Sequence, residues 1–199
     1  MADPALGPLI DLHGPPPLRR TRNAFRSLVR TVVGQQLSGT AARTIYDRFR
    51  ALYPGRAFPT PEDVLQTPEA TLRSAGLSGA KARTLHDLAT KLTDGTIPRR
   101  RLCRLPDGRV REALLGVKGL GPWSVDIFLL FALARPDVLP VGDLGLRKGA
   151  RSHFGLAELP DAAQLEELTE PWRPYRSAGT WYMWRSLDGP LAVVAAQAS

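Results

Sequence analysis

Apolar residues in this chain recur at helical spacing almost throughout, and no stretch alternates with the period of two that a half-buried strand needs. In "NAFRSLVRTVVGQQLSG", Phe25, Leu28, Val29, Val32 and Val33 share one helical face. "TAARTIYDRFRALY" repeats the pattern with Ala41, Ile45, Phe49 and Leu52, so two helices meet at "GQQLSG". Thr-Pro pairs start short helices within "TPEDVLQTPEATLRSAGLSGAKARTLHDLATKL", and a longer helix from about Ser78 carries Leu85, Leu88 and Leu92. "VREALLGV", "WSVDIFLLFALA", a helix from about Asp143 and a last stretch through "PWRPYRSAGTWYMWRSL" follow. The patterning predicts an all-α fold of about nine or ten helices, as one compact domain or as two small lobes around a cleft. Residues 1–21, with Pro4, Pro8, Pro15, Pro16 and Pro17, are expected to be an extended arm without a core, ahead of a domain over 22–199.

Charge narrows the partners. Lys and Arg total 27 against 19 Asp and Glu, a formal net charge of +8 over 199 residues. That balance suits a polyanion such as nucleic acid, although a solvated basic surface accounts for it equally well on its own. The single cysteine, Cys103, excludes an intramolecular disulfide framework and any four-cysteine zinc or iron–sulfur site within the chain. It fits a reducing, intracellular compartment. The opening "MADPALGPLIDLHGPPPLRR" lacks the basic-then-apolar order of a secretory signal. The run "IFLLFALA" is shorter than the ~20 residues that span a bilayer. The expectation is therefore a cytoplasmic protein, nucleoid-associated in a bacterium, with no membrane partner. His13, His86 and His153 are too dispersed for a side-chain metal site.

The stretch "GVKGLGPWS" joins two helical patterns across a tight turn. Gly119 and Gly121 allow positive φ and close approach, and Pro122 suits the first turn of the next helix. With "EALLGV" before it, this reads as a helix-hairpin-helix over about residues 108–134, whose backbone N–H groups at a helix N-terminus suit phosphate oxygens. Lys118 adds a point charge, and Ser124, just inside the second helix, is a further candidate for DNA contact. An ordinary αα turn satisfies the same residues. Further basic candidates for phosphate contact are Arg147, Lys148, Arg173 and Arg176, whereas Arg99, Arg100, Arg101 and Arg104 read as a solvated connector. Asp143 opens a helix after a proline-broken loop and reads either as that helix's N-cap or as a catalytic carboxylate. Asp126 and Asp137 are weaker candidates.

A helix-hairpin-helix followed by a lone Asp143, twenty residues beyond Trp123, resembles the HhH-GPD DNA glycosylase superfamily. That superfamily is named for its hairpin, its Gly/Pro-rich loop and its aspartate. The resemblance spans about residues 23–188 and rests on four ordered stretches: "VVGQQLS", "GLSGAKA", "GVKGLGPWS" with "DVLPVGD", and "EPWRPYRSAGTWYMW". The last of these and the tryptophan after the hairpin look like the 3-methyladenine DNA glycosylase II type, an alkylation-repair branch.

The resemblance implies a set of roles. Trp123 stands where bifunctional members carry the lysine that forms an imine with the sugar; an indole forms none, which implies a monofunctional enzyme that uses water and leaves an abasic site. Asp143 would face the oxocarbenium-like sugar. Trp123 and Trp184 would line the base pocket, while Trp181 and Tyr182 read as core packing. Ile127 and Leu144 occupy positions where the type member has tyrosines, so the pocket is expected to be wide, accepting 3-methyladenine, 7-methylguanine and ethenoadenine. Gln35, Gln36 and Leu37 would meet DNA, with Gln36 at the intercalating position. The backbone carbonyls of Leu115, Val117 and Leu120 would hold a sodium or potassium ion, with no other cofactor required. The expected partner is damaged double-stranded DNA, bound by a monomer. Two other readings stay open: a non-catalytic hairpin module that binds DNA, and a bifunctional glycosylase/lyase.

Overall fold

A computed structural model describes residues 3–187; of the arm and domain expected over 1–21 and 22–199, residues 1–2 and 188–199 lie outside the described residues. Among the described residues there are eleven α-helices and no strand, the all-α fold that the periodicity predicts. The chain divides into two compact units: Thr21–Phe128, and the described parts of Met1–Arg20 and Leu129–Ser199 together.

The first helix, α1 (Gly7–His13), lies in the segment expected to be extended. Pro4 opens a 3-10 turn over Pro4–Leu6, and Pro8 stands in the first turn of α1, where a missing N–H costs nothing. Proline here starts helix rather than preventing it. Leu6 is fully buried, the Tyr182 hydroxyl donates to the Gly14 carbonyl at 2.9 Å, and the Asp3 carboxylate accepts from the Trp172 indole at 2.9 Å. The extended arm is thus corrected to a helical segment, which has no core of its own and docks through Leu6 on that of its unit.

The Thr21–Phe128 unit holds α2 (Ala24–Gly34), α3 (Gly39–Ala51), α4 (Pro61–Gln66), α5 (Glu69–Ser74), α6 (Gly79–Thr93), α7 (Asp107–Leu115) and α8 (Pro122–Ile127). Helix starts fall where capping residues stand. Asn23, Ser38 and Ser78 each accept from a backbone N–H of the helix that they open, and Thr60 and Asp63 form a reciprocal capping box. Each such cap stabilises its helix by about 1 kcal/mol. The expected face of α2 is the buried one, with Phe25, Leu28, Val29, Val32 and Val33 all in the interior, as are Leu85, Leu88 and Leu92 of α6; on α3, Phe49 and Tyr46 are buried, whereas Ala41, Ile45 and Leu52 are half-buried.

The other unit contains α1, α9 (Leu144–His153), α10 (Ala162–Leu168) and α11 (Arg176–Leu187). Its core gathers Leu6, Leu146, Leu165, Trp172, Trp181, Tyr182 and Met183, so Trp181 and Tyr182 are packing residues. Helices α9 and α11 cross closely at Gly149, where a β-carbon would overlap the Met183 backbone. The helix expected to run through "WSVDIFLLFALA" is not uniform. After α8 the chain continues as a π-helical turn, Phe128–Ala132, which rotates Phe131 to 44% exposure.

Candidate functional site

The hairpin is α7, a loop over 116–121, and α8. Its two central glycines differ. Gly119 has φ +86, and a β-carbon there would overlap the Thr84 hydroxyl on α6, so the position admits glycine alone. Gly121 is the extended N-cap of α8 at φ −101, which corrects the expected positive φ. A β-carbon on it would meet nothing within 4 Å, leaving that backbone open to a partner. The Lys118 side chain is exposed, but its backbone N–H donates to Asp87 at 2.8 Å. Asp87 also accepts from Lys91 Nζ at 2.6 and 2.7 Å. Burial works against ionising Asp87, but the hydrogen bonds from Lys91 and from Lys118 N–H together hold its carboxyl below the usual range.

The turn between α2 and α3 is tied to this hairpin. Gln35 Nε2 donates to the Gly119 carbonyl at 3.1 Å and to Ser124 Oγ at 2.9 Å; Ser124 is buried, so both side chains are engaged inside the unit. Gln36 is exposed at φ +56, a left-handed conformation that costs a non-glycine residue about 1–2 kcal/mol. Leu37 beside it is 39% exposed. Lys81 on α6 closes the end of α2, its ammonium donating to the carbonyls of Val33 at 2.7 Å and Gln35 at 2.8 Å. Nothing in the sequence singled out Lys81, since a lysine in a helix ordinarily faces solvent.

On α8, Trp123 and Ile127 lie one turn apart; Trp123 is 36% exposed and Ile127 is half-buried. Asp126 points inward instead, paired with Arg111 of α7. Burial pushes its carboxyl above the usual range, against the pull of that guanidinium. It holds the two hairpin helices together. In the hairpin loop, the Val117 carbonyl accepts from the Leu120 N–H at 3.1 Å; the side chains of both residues are buried and that of Leu115 is exposed.

In the other unit, Asp143 is the N-cap of α9, as one of its two sequence readings had it. Its Oδ1 accepts from the Leu146 N–H at 2.7 Å and from Trp184 Nε1 at 2.8 Å. Two donors on one oxygen fix the orientation of the carboxyl group. The capping role and a catalytic role are compatible. Trp184 stacks on Phe131, with centroids 5.6 Å apart and planes 18° from parallel. Gly145 makes the close approach possible, for a β-carbon there would lie 3.0 Å from Trp184 Cδ1 and 3.1 Å from Asp143 Oδ1. Leu144, next to the carboxylate, is 53% exposed. Phe131 and Gly145 escaped sequence reasoning. Phe131 sits in an apolar run that reads as core, and Gly145 carries meaning only once an indole 39 positions along is folded against it.

Arg147 Nε donates to the Pro160 carbonyl at 2.7 Å, so part of that guanidinium is used within the protein. Arg173 and Arg176 both pair with Asp137, at 2.7 Å each. Chiefly through Arg176, this keeps the Asp137 carboxyl below its usual range. The three residues anchor the start of α11. No group of three or more His, Cys, Asp or Glu side chains suited to a metal occurs among the described residues, and no described helix is long and apolar enough to cross a membrane.

The chain matches the family model of the HhH-GPD superfamily base excision DNA repair proteins over residues 29–174. It is 33% identical over 166 residues to DNA-3-methyladenine glycosylase 1 of Schizosaccharomyces pombe, covering 83% of this chain and 73% of that protein. Among solved structures, a 3-methyladenine DNA glycosylase from the same yeast, in complex with abasic DNA, superposes with a TM-score of 0.84 at 32% identity, covering 93% of this chain and 92% of that one. A DNA-3-methyladenine glycosidase from Bacillus halodurans gives a TM-score of 0.79 at 34% identity, covering 92% and 84% of the two chains.

Proposed function

The chain belongs to the HhH-GPD superfamily of base excision DNA repair proteins, and on that premise we propose that it is a monofunctional DNA glycosylase of alkylation repair. It takes an alkylated base out of duplex DNA, hydrolyses the N-glycosidic bond and leaves an abasic site. The observation that carries this reading is the Asp143 carboxylate, half-buried and oriented on one oxygen by the Leu146 and Trp184 N–H groups.

As the base departs, positive charge grows on the sugar. A carboxylate about 4 Å from that charge, at an effective dielectric near 20, is worth about 4 kcal/mol, or a thousandfold in rate. Orientation matters as much as charge, because a carboxylate already aligned loses little on reaching the transition state. The same group is suited to orient or deprotonate the attacking water. Trp123 offers no amine for an imine, which supports hydrolysis over lyase chemistry. The indole faces of Trp123 and Trp184 suit bases that methylation or ring extension makes cationic or electron-poor. Aliphatic Ile127 and Leu144 take less room than tyrosines, so 3-methyladenine, 7-methylguanine and ethenoadenine are the proposed substrates.

The open Gly121 backbone, exposed Lys118 and the start of α8 are proposed to receive a DNA phosphate, and Gln36 with Leu37 to enter the stack that the flipped base leaves. Residues 115–121 contain no carboxylate, so the neutral carbonyls of Leu115, Val117 and Leu120 fit a sodium or potassium ion better than a divalent one. When bound, such an ion supplies positive charge toward the phosphate. The enzyme is proposed to work as a monomer on genomic DNA.

Base release from duplexes holding one ethenoadenine, 7-methylguanine or hypoxanthine tests the reading, with strand scission scored before and after hot alkali and borohydride trapping in parallel. The expected result is release, nicks only after alkali, and no trapped complex. Nicks before alkali with a trapped adduct would establish a lyase, and binding without release would leave a non-catalytic hairpin module.

A further inference from the structure

We infer that Lys81 is a positioning residue for DNA interrogation: its ammonium sets the conformation in which Gln36 and Leu37 are presented to the base stack. The inference rests on the proposal above that residues 36–37 act as the wedge, and it adds what holds them in place.

Three residues on one face of α6 reach the DNA-facing loops. Thr84 fills the space under Gly119, Asp87 accepts from the Lys118 N–H, and Lys81 donates to the Val33 and Gln35 carbonyls. Their spacing, Lys81, Thr84 and Asp87, is that of one helical stripe. The last carbonyls of a helix have no intrahelical donor, and they carry the negative end of its dipole. At α2 a single ammonium satisfies two of them at once. The chain must then leave α2 through Gln35 at ψ 127 and turn at Gln36 with φ +56, which brings the Leu37 N–H to within 3.2 Å of the Gly34 carbonyl. Gln35 locks the other side of the same turn to Gly119 and Ser124.

Gln36 is not a glycine, and nothing in its own chemistry favours a left-handed backbone. Without the lysine, the two freed carbonyls would seek water, and the turn would relax toward ordinary φ values, carrying Gln36 and Leu37 out of register with the hairpin. Partial burial of Lys81 lowers its pKa, as withdrawal of an ammonium from solvent does. The phosphate-binding loop depends on Thr84 and Asp87 instead, so the lysine acts on the wedge and not on general affinity for DNA.

The test uses full-length protein and a duplex carrying 2-aminopurine beside a tetrahydrofuran abasic analogue, whose fluorescence rises when the neighbouring stack is opened. Relative to wild type, Lys81→Met should cut the enhancement about fivefold and the single-turnover base-release rate about tenfold, the effect of losing one charge-assisted contact. Affinity for undamaged duplex should stay within about twofold, because phosphate contacts set it. Lys81→Arg, which keeps both donors, should restore the fluorescence. Should the methionine variant fail to fold, Lys81→Gln is read in the same way. Wild-type fluorescence in the neutral variants, or a loss of undamaged-duplex affinity in proportion to the fluorescence, would overturn the inference. Lys81-dependent fluorescence in a wild type that releases no base would remove the glycosylase reading and leave this one standing.

Discussion

Gly119 and Gly121 are two residues apart in one loop, yet they answer to different constraints. Gly119→Ala forces a left-handed alanine into the Thr84 side chain and should destabilise the protein by about 2–3 kcal/mol, seen as a fall in Tm together with lost DNA affinity. Gly121→Ala meets no neighbouring atom, so Tm should barely move, while affinity for duplex drops about tenfold if a phosphate comes that close to the backbone. Trp184 can be dissected in the same way. Trp184→Phe keeps an aromatic ring against Phe131 but loses the N–H to Asp143 together with part of the indole face, so the single-turnover excision rate should fall about tenfold and binding of the lesion should weaken with it. At this scale the sequence was half-legible. "PVGDLG" places an acidic cap at a helix start on local grounds alone, but its indole partner is 41 residues away and invisible to any local pattern. Lys81 was illegible for the same reason, its acceptors lying 46 and 48 residues back along the chain.

The helices themselves were the most legible elements, because their apolar stripes and Ser, Thr and Asn caps are local signals that agree with one another. Two elements departed from expectation where local signals mislead. Prolines at the first positions of α1 look like breakers until the segment is seen to begin a helix there, and the π-helical turn at Phe128–Ala132 leaves no mark on composition. The α11 start is an element held by charge, with Asp137 bonded to Arg176 and Arg173. Its carboxyl is held below the usual range in the folded protein, so its stabilisation is complete above the unfolded pKa of about 3.9 and is lost as pH falls through the lower folded value. Urea melts should therefore show Asp137→Asn costing about 1 kcal/mol at pH 7 and progressively less below pH 4, the partial exposure of the pair limiting the size.

For the molecule as a whole, a formal charge of +8 suits a polyanionic partner but carries nothing of the chemistry done on it. Affinity for undamaged duplex should fall steeply with salt, and Lys118→Ala should reduce the slope of log K against log salt by about 0.9, the share of one neutralised phosphate. An unchanged slope would take Lys118 out of the DNA contact. The central claim is chemical and turns on Asp143. Asparagine preserves the N-cap acceptor for Leu146 while removing the charge, which makes Asp143→Asn a clean probe of catalysis rather than of folding. The deciding measurement is single-turnover base release by this variant beside wild type, with affinity for a tetrahydrofuran duplex measured on both. A loss of about a thousandfold in rate, with affinity within a few-fold of wild type, is the predicted result. Excision within about tenfold of wild type would contradict the account, because no carboxylate charge at Asp143 would then be carrying the reaction.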